Sequence, residues 1–504
     1  MTRLDIVVRT WLWTTAGALG AITAILFLGY VLAAIVFAPS LDFGEGVVLH
    51  QTTLIPGSTM YGDIFRYPFI VFDYPPFYFL VVHCVASLGP DLLQAGRIVS
   101  AASTLLSCVM LAVLVRKACG GSPSAWAGGC VAAVLPLTTL PVIAWVPLMR
   151  VDMLGLALTL GGLLLVLEAA RHRWMMVPAT LGFVAAMFTR QTFLAAPASV
   201  LGVAMLRFPR AALLAILGGA LCAGGLAWAL DAATAGGFLR HVVVNLGHNG
   251  FSLHSALRQI AWWTARYASL WSLALAGVCW AARASWPGWR GAARLIRIDA
   301  RAFVLAAMFV YLVLASVMTV TIGKSGSWVN YLIEWIFVGA FWAGYACGMA
   351  LEPRRGVQRR WARYAVVLLL VAQMANGPFS IVAWRDSHLT QARMAQNAAL
   401  VARLRAIPGP VMADDMVALW RAGKDMGVES FNVAEMARMG VMPEDRLIAL
   451  VRAHWFAAVV TQGGPGGNAF ESRYLPATQA ALLAAYPVTE RFGDFVLRRP
   501  DERR

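Results

Sequence analysis

Two carboxylates stand three residues apart in the segment LDFGEGVVLHQ, Asp42 and Glu45. At a helix start that spacing puts both on one face. A carboxylate so placed can take a proton from an attacking hydroxyl or amine, or help hold a divalent cation. The same pattern also suits a helix N-terminus, where the dipole favours acids. Further along, WVPLMRVDMLG carries Arg150 and Asp152, FTRQTF carries Arg190 and Gln191, and GKSGSWVNYLIEW carries Lys324, Asn330, Tyr331 and Glu334. Cations gathered around a polar pocket can hold a phosphate or pyrophosphate. Arginines and lysines at the ends of apolar runs also serve as snorkelling anchors, and charges beside a bilayer commonly pair with one another. His248 and His254 have no diagnostic metal-site spacing.

These residues fall between apolar runs. The chain has 504 residues, of which 60% are hydrophobic and 13% charged, with mean hydropathy +0.68. Soluble domains hold about 25% charged residues, so this is a membrane protein. The net charge of +16 would suggest a nucleic-acid partner in a soluble chain, but here the basic residues cluster in short loops, as the positive-inside rule requires; nucleic acid is excluded. The clusters are Arg3/Arg9, Arg116/Lys117, Arg171/Arg173, Arg207/Arg210, Arg283–Arg301 and Arg354–Arg363. If all face the cytoplasm, paired crossings separate them, and about eleven spans result, near 12–38, 95–115, 122–146, 151–169, 175–190, 192–206, 211–231, 259–282, 302–322, 329–350 and 364–384. The first is too long for a signal peptide and reads as an uncleaved helix with a cytoplasmic N-terminus. Pro75–Gly89 is short for a span and reads as an interfacial or re-entrant helix opening at Pro75-Pro76.

By this parity the candidate residues lie on the outer face. Its stretches are a first loop from Pro39 to Tyr74, the turn around Arg150 and Asp152, the segment Gly236–Arg258 with His241, Asn245, His248 and His254, and the turn at Lys324. After about residue 385 charges become frequent. PGPVMADDMVALW reads as a buried strand followed by a turn, WFAAVVTQ and residues 493–498 as further strands, and Thr478–Ala485 as an amphipathic helix, which together make a small extracytoplasmic α/β domain. The expected organisation is a transmembrane unit 1–384, with first outer loop 39–94, and an α/β domain 385–504. Cys84, Cys108, Cys119, Cys130, Cys222, Cys279 and Cys347 all lie in or beside apolar segments and read as packing residues. There is no Walker A loop, GxGxxG fingerprint or HExxH, and GGPGG at 463–467 reads as a plain loop; a nucleotide-sugar donor is therefore not expected.

An acidic pair directly after the first helix, a long first outer loop and the YPPFY segment resemble the GT-C glycosyltransferases, in particular the bacterial glycosyltransferase-39-like and aminoarabinose-transferase-like proteins and the protein O-mannosyltransferases. Tyr74-Pro75-Pro76 resembles the double-proline start of their juxtamembrane helix, with Tyr74 where a basic residue often stands. Arg97 resembles their arginine at the start of the next span, Arg150 and Asp152 their second-loop element, and KSGSWVNYLIE a late outer-face motif. The resemblance implies a polyprenyl-phosphate-linked sugar donor, inversion at the anomeric carbon, a site on the outer face of a bacterial inner membrane, and an envelope glycan, lipid or protein acceptor. It implies an acidic base in this loop, Asp42 first and Glu45 second, while the topology, which sets Arg150, Arg190 and Lys324 at outer-face turns, makes these three with Tyr331 the expected ligands of the donor phosphate; Tyr74, Arg97, Asp152, His248, Asn330 and Glu334 are expected to support them. Metal dependence varies among such proteins; DFGEG is no tight acidic cluster, so no tightly bound metal or other cofactor is expected. A secondary transporter or lipid-linked glycan flippase is the alternative reading, and would also set charges around a cavity.

Overall fold

The computed structural model describes residues 3–245, 250–285, 289–352 and 357–501; His248 lies outside them. Six helices among these are long and apolar enough to cross a bilayer: Val7–Val36, Leu92–Cys119, Pro209–Ala233, Ala300–Gly323, Val329–Leu351 and Trp361–Ala406. The protein is a multi-pass membrane protein. The other expected spans coincide with helices that are shorter or interrupted. Pro123–Val134 passes into a 3₁₀ turn at Leu135–Thr138, then the short helix Leu140–Trp145, as Pro136 and Pro141 require. Asp152–Glu168, Met176–Thr189 and Ala195–Arg207 are short, and Leu253–Arg266 is separated from Ala268–Ser285 at Tyr267.

Four N-terminal helices frame the site and are numbered α1 (Arg3–Val36), α2 (Phe43–Thr53), α3 (Phe77–Ala86) and α4 (Leu92–Cys119). Helix α3 is too short to span. It begins directly after Pro76 and buries Tyr78, Phe79 and Val82. The bundle closes tightly where small residues face each other: a Cβ on Gly128 would stand 2.5 Å from the Gly344 carbonyl and 2.9 Å from the Gly348 backbone. That spacing of small residues lets two helix backbones approach where lipid gives no hydrophobic drive.

The C-terminal region is α/β, as expected. Its sheet has strands β1 (Val411–Ala413), β2 (Ala458–Gln462), β3 (Val488–Phe492) and β4 (Phe495–Arg499) in the order β1-β2-β4-β3. β1 and β2 are parallel and the other pairings antiparallel. The buried strands are legible in the sequence; β3 is not, because its first four residues are exposed and carry no apolar pattern.

The loop after α1 binds this domain closely. Phe69 N–H donates to the Gly427 carbonyl (2.8 Å) and Glu429 N–H to the Phe69 carbonyl (3.2 Å). The buried Glu429 carboxylate accepts from Val71 N–H (3.0 Å), Gln51 Nε2 (3.3 Å) and Asn432 Nδ2 (2.8 Å). His241 fixes the other side of the loop, accepting Phe72 N–H at Nδ1 and donating from Nε2 to the Gly62 carbonyl, which selects the Nε2–H tautomer.

Candidate functional site

Glu45 and Asp42 sit on the first turn of one helix, yet their surroundings differ. Glu45 is fully buried against Arg97, which is also fully buried. Arg97 Nε and Nη2 donate to the two Glu45 oxygens at 2.8 and 2.7 Å. The rest of the guanidinium caps the end of α1, donating to the carbonyls of Ala34, Phe37 and Pro39. Glu45 also accepts Leu41 N–H and Met149 N–H, each at 2.9 Å. Every strong position on this carboxylate is occupied. Glu45 and Arg97 form a latch joining α1, α2, α4 and the Met149 segment.

Asp42 is the N-cap of α2, accepting Glu45 N–H at 2.9 Å, a role carboxylates fill well. Its side chain remains 35% exposed, so among the two acids it alone can meet a substrate. Arg150 Nη2 reaches both its oxygens, at 2.7 and 2.8 Å, and the guanidinium lies over the Trp145 ring at 4.8 Å. Gly44 makes room for this contact: a Cβ there would stand 1.9 Å from Arg150 Nη2.

Asp152 opens the helix Asp152–Glu168 and is buried. It accepts from Trp145 Nε1 (2.7 Å) and Asn330 Nδ2 (3.1 Å) and pairs with Arg190. Arg190 lies 4.5 Å from the Tyr331 ring centre. Tyr74 stands within the electrostatic reach of Arg150, Arg190, Asp152 and Asp73. Glu334 accepts from Tyr311 Oη at 2.8 Å and lines, with Arg190, Asn330 and Tyr331, a small crevice beside Asp152. Asp73, between the first loop and the C-terminal domain, has its carboxyl pushed up to about 7, chiefly by burial and then by Glu429. Arg150 Nε, Gln191 Oε1 and Asn330 Oδ1 are buried with no hydrogen-bond partner among the described residues. A buried polar atom left so is a position where water or a polar ligand can bind.

The expected phosphate ligands therefore divide. Arg150 and Arg190 come together around Tyr74 and Asp152, each already neutralised by an aspartate. Lys324 lies on the loop after Gly323, bridged through its backbone to Phe251, and its ammonium has no polar partner among the described residues. No group of three His, Cys, Asp or Glu side chains that could hold a metal occurs among the described residues.

Two clefts meet at Asp42. One, of about 600 Å³, is lined by Tyr30, Trp145, Trp384 and His388 from helices and by Leu148 and Trp328 from the segments between them. It shares Ala144, Trp328 and Trp384 with a neighbouring groove of about 950 Å³ that holds Trp262, Trp263 and Arg258. The second, of about 640 Å³, lies between residues 39–43 and the C-terminal domain. The tryptophans and Arg258 are not legible as site residues in the sequence. Widely separated in sequence, they show no periodic signal, and a tryptophan near a membrane interface ordinarily reads as part of the aromatic belt.

No protein-family model matches the chain, and no curated protein sequence matches it. Solved structures match by fold. ArnT from Cupriavidus metallidurans bound to undecaprenyl phosphate aligns with TM-score 0.60 and 16% identity, over 95% of this chain and 97% of that one. The oligosaccharyltransferase AglB from Archaeoglobus fulgidus, in complex with an inhibitory peptide and a dolichol-phosphate, aligns with TM-score 0.51 and 12% identity, over 95% and 76%. The Archaeoglobus fulgidus oligosaccharyltransferase tethered to an acceptor peptide aligns with TM-score 0.54 and 11% identity, over the same shares. These neighbours belong to the GT-C superfamily, and this chain has the GT-C fold.

Proposed function

We propose that the protein is a membrane glycosyltransferase that moves a sugar from a polyprenyl-phosphate carrier to an envelope acceptor, with Asp42 as general base. The observation that carries this reading is the place of Asp42: one partly exposed carboxylate on the linings of both an aromatic cleft beside the long apolar helices and a polar cleft against the C-terminal domain. A reaction that joins a lipid-borne sugar to an acceptor needs such a junction. The fold supports it, since neighbours of the same architecture carry undecaprenyl phosphate or dolichol-phosphate.

In the step proposed, the acceptor oxygen or nitrogen attacks the anomeric carbon and passes its proton to Asp42. The bond from that carbon to the phosphate oxygen breaks, and the electron pair leaves with the polyprenyl phosphate. Attack opposite the leaving group inverts the anomeric centre. The aromatic groove offers flat apolar walls to the carrier. Arg258 and Lys324, cations without polar partners among the described residues, supply charge for its phosphate, where a preorganised cation stabilises the leaving group best. Arg150 has a second use. Its guanidinium can pass from Asp42 to the phosphate as the donor binds, which frees the carboxylate to take a proton. Glu45 is left as the latch with Arg97 and is not the base.

The reading includes eleven crossings, a cytoplasmic N-terminus and an outer-face C-terminal domain in a bacterial inner membrane. Its test compares envelope glycans, lipids and proteins by mass spectrometry in cells with the gene, without it, and with Asp42→Asn. The expected result is a mass increment of one sugar that needs both the gene and Asp42. Unchanged envelopes would remove the glycosyltransferase reading and leave the transporter or flippase in its place.

A further inference from the structure

The polar cleft beside Asp42 lies apart from the aromatic groove. Its near wall is residues 39–43; the far wall is the helix Gln391–Ala406 with the tip of the β3–β4 hairpin. The two clefts share only Leu41 and Asp42.

Its polar groups sort by what they already hold. Asp414 accepts from Ser430 Oγ, Tyr474 Oη and Gln462 N–H, and pairs with Arg473. Asp415 caps the helix Met416–Arg421. Arg393 donates to the carbonyls of Ser40 (2.9 Å) and His388 (2.8 Å), and so clamps the two walls together. These groups build the cleft. Asp494, Gln396 and the amide nitrogen of Gln462 have no side-chain hydrogen-bond partner among the described residues, and Asp494 and Gln396 are exposed. The rings of Phe43, Phe492 and Phe495 complete the lining.

We infer that this cleft is the acceptor site of the proposed transfer, and that its acceptor is a carbohydrate hydroxyl presented from the water side. The inference rests on Asp42 acting as base. A free carboxylate and two amides can accept from and donate to a run of hydroxyls, and aromatic rings can cover the C–H faces of a sugar. An anionic acceptor is disfavoured, because Asp42 and Asp494 are carboxylates and Arg393 is already engaged. A lipid acceptor would have to arrive from the membrane side, where the aromatic groove already takes the donor. The attacking hydroxyl oxygen bonds to the anomeric carbon, its proton moves to Asp42, and the phosphate departs with the electron pair.

The test uses the full-length chain. Gln396→Trp fills the cleft, and Asp494→Asn removes one charge without changing volume. Each variant is expressed in cells lacking the gene, and the sugar-bearing fraction of the envelope carbohydrate is measured by mass spectrometry. The purified variants in lipid nanodiscs are then assayed for undecaprenyl phosphate binding by native mass spectrometry. Gln396→Trp should lower the modified fraction about tenfold or more, and Asp494→Asn by less, while undecaprenyl phosphate binding stays within about twofold of the unsubstituted protein. Unchanged modification with the cleft filled overturns the inference and leaves the glycosyltransferase reading standing. So does a sugar found on lipid or protein in place of carbohydrate. Loss of undecaprenyl phosphate binding in both variants places the cleft on the donor side and also overturns it. If the unsubstituted chain adds no sugar, the reading and the inference fall together.

Discussion

Arg150 Nη2 stands 2.7 and 2.8 Å from the two carboxylate oxygens of Asp42, 108 residues away in sequence, and no side chain at position 44 intervenes. Ala at 44 would place a methyl 1.9 Å from that nitrogen. Alanine suits a helix better than glycine, so α2 should form and the flexible guanidinium should give way. Gly44→Ala is thus expected to keep the fold and disturb the Asp42 pair, with turnover reduced by up to about 10²-fold, the scale of a misplaced group. Sugar incorporation and thermal unfolding, measured on one preparation, check this. Full activity with an intact fold would show that the resting pair has no part in the reaction.

Glu45 and Arg97 should behave as a structural unit. Arg97→Met leaves the Glu45 charge buried without its partner, which costs about 3–5 kcal/mol. The double change Arg97→Met with Glu45→Gln should recover much of that loss. Asp42→Asn, by contrast, should leave the melting temperature nearly unchanged and lower turnover about 10²–10⁴-fold. Thermal melts in detergent, set beside activity, separate the two roles. A stable but inactive Glu45→Gln would reverse the assignment.

The Asp73 carboxyl gives the join between the first loop and the C-terminal domain a pH dependence. Its value rises from 3.8 to about 7 on folding, so the folded state holds a proton that the unfolded chain has already lost. Its contribution therefore weakens as pH rises from about 4 to about 7, where the folded carboxyl itself ionises. Asp73→Asn should flatten this part of the stability–pH curve. Melting temperatures between pH 4 and pH 8 test the expectation, and an unchanged slope in the variant would rule Asp73 out as its source.

Topology makes a separate prediction. Reporter fusions after residue 385 should show the outer-face phenotype, and fusions in the Arg207/Arg210 loop the cytoplasmic one. Cytoplasmic activity after residue 385 would break the parity on which the eleven crossings rest.

The sequence by itself determined the membrane class, the short juxtamembrane helix after Pro76, the α/β character of the C-terminal region and the residue types available for chemistry. Those follow from hydropathy, proline and local patterning, which act over a few residues. Motif resemblance also pointed to the GT-C architecture. What Asp42 and Glu45 each do was decided only in three dimensions. On the sequence they are equivalent acids on one helix turn; Arg97, Ala34, Phe37 and Met149 close around one and leave the other open. Likewise Arg150, Arg190 and Lys324 are equal in the sequence as charges in turns between apolar runs, yet aspartates neutralise the first two, and the third has no ion-pair partner among the described residues. The aromatic groove and the polar cleft draw their walls from segments hundreds of residues apart. Burial, charge pairing and the meeting of two clefts are properties of long-range packing, and no local pattern encodes them.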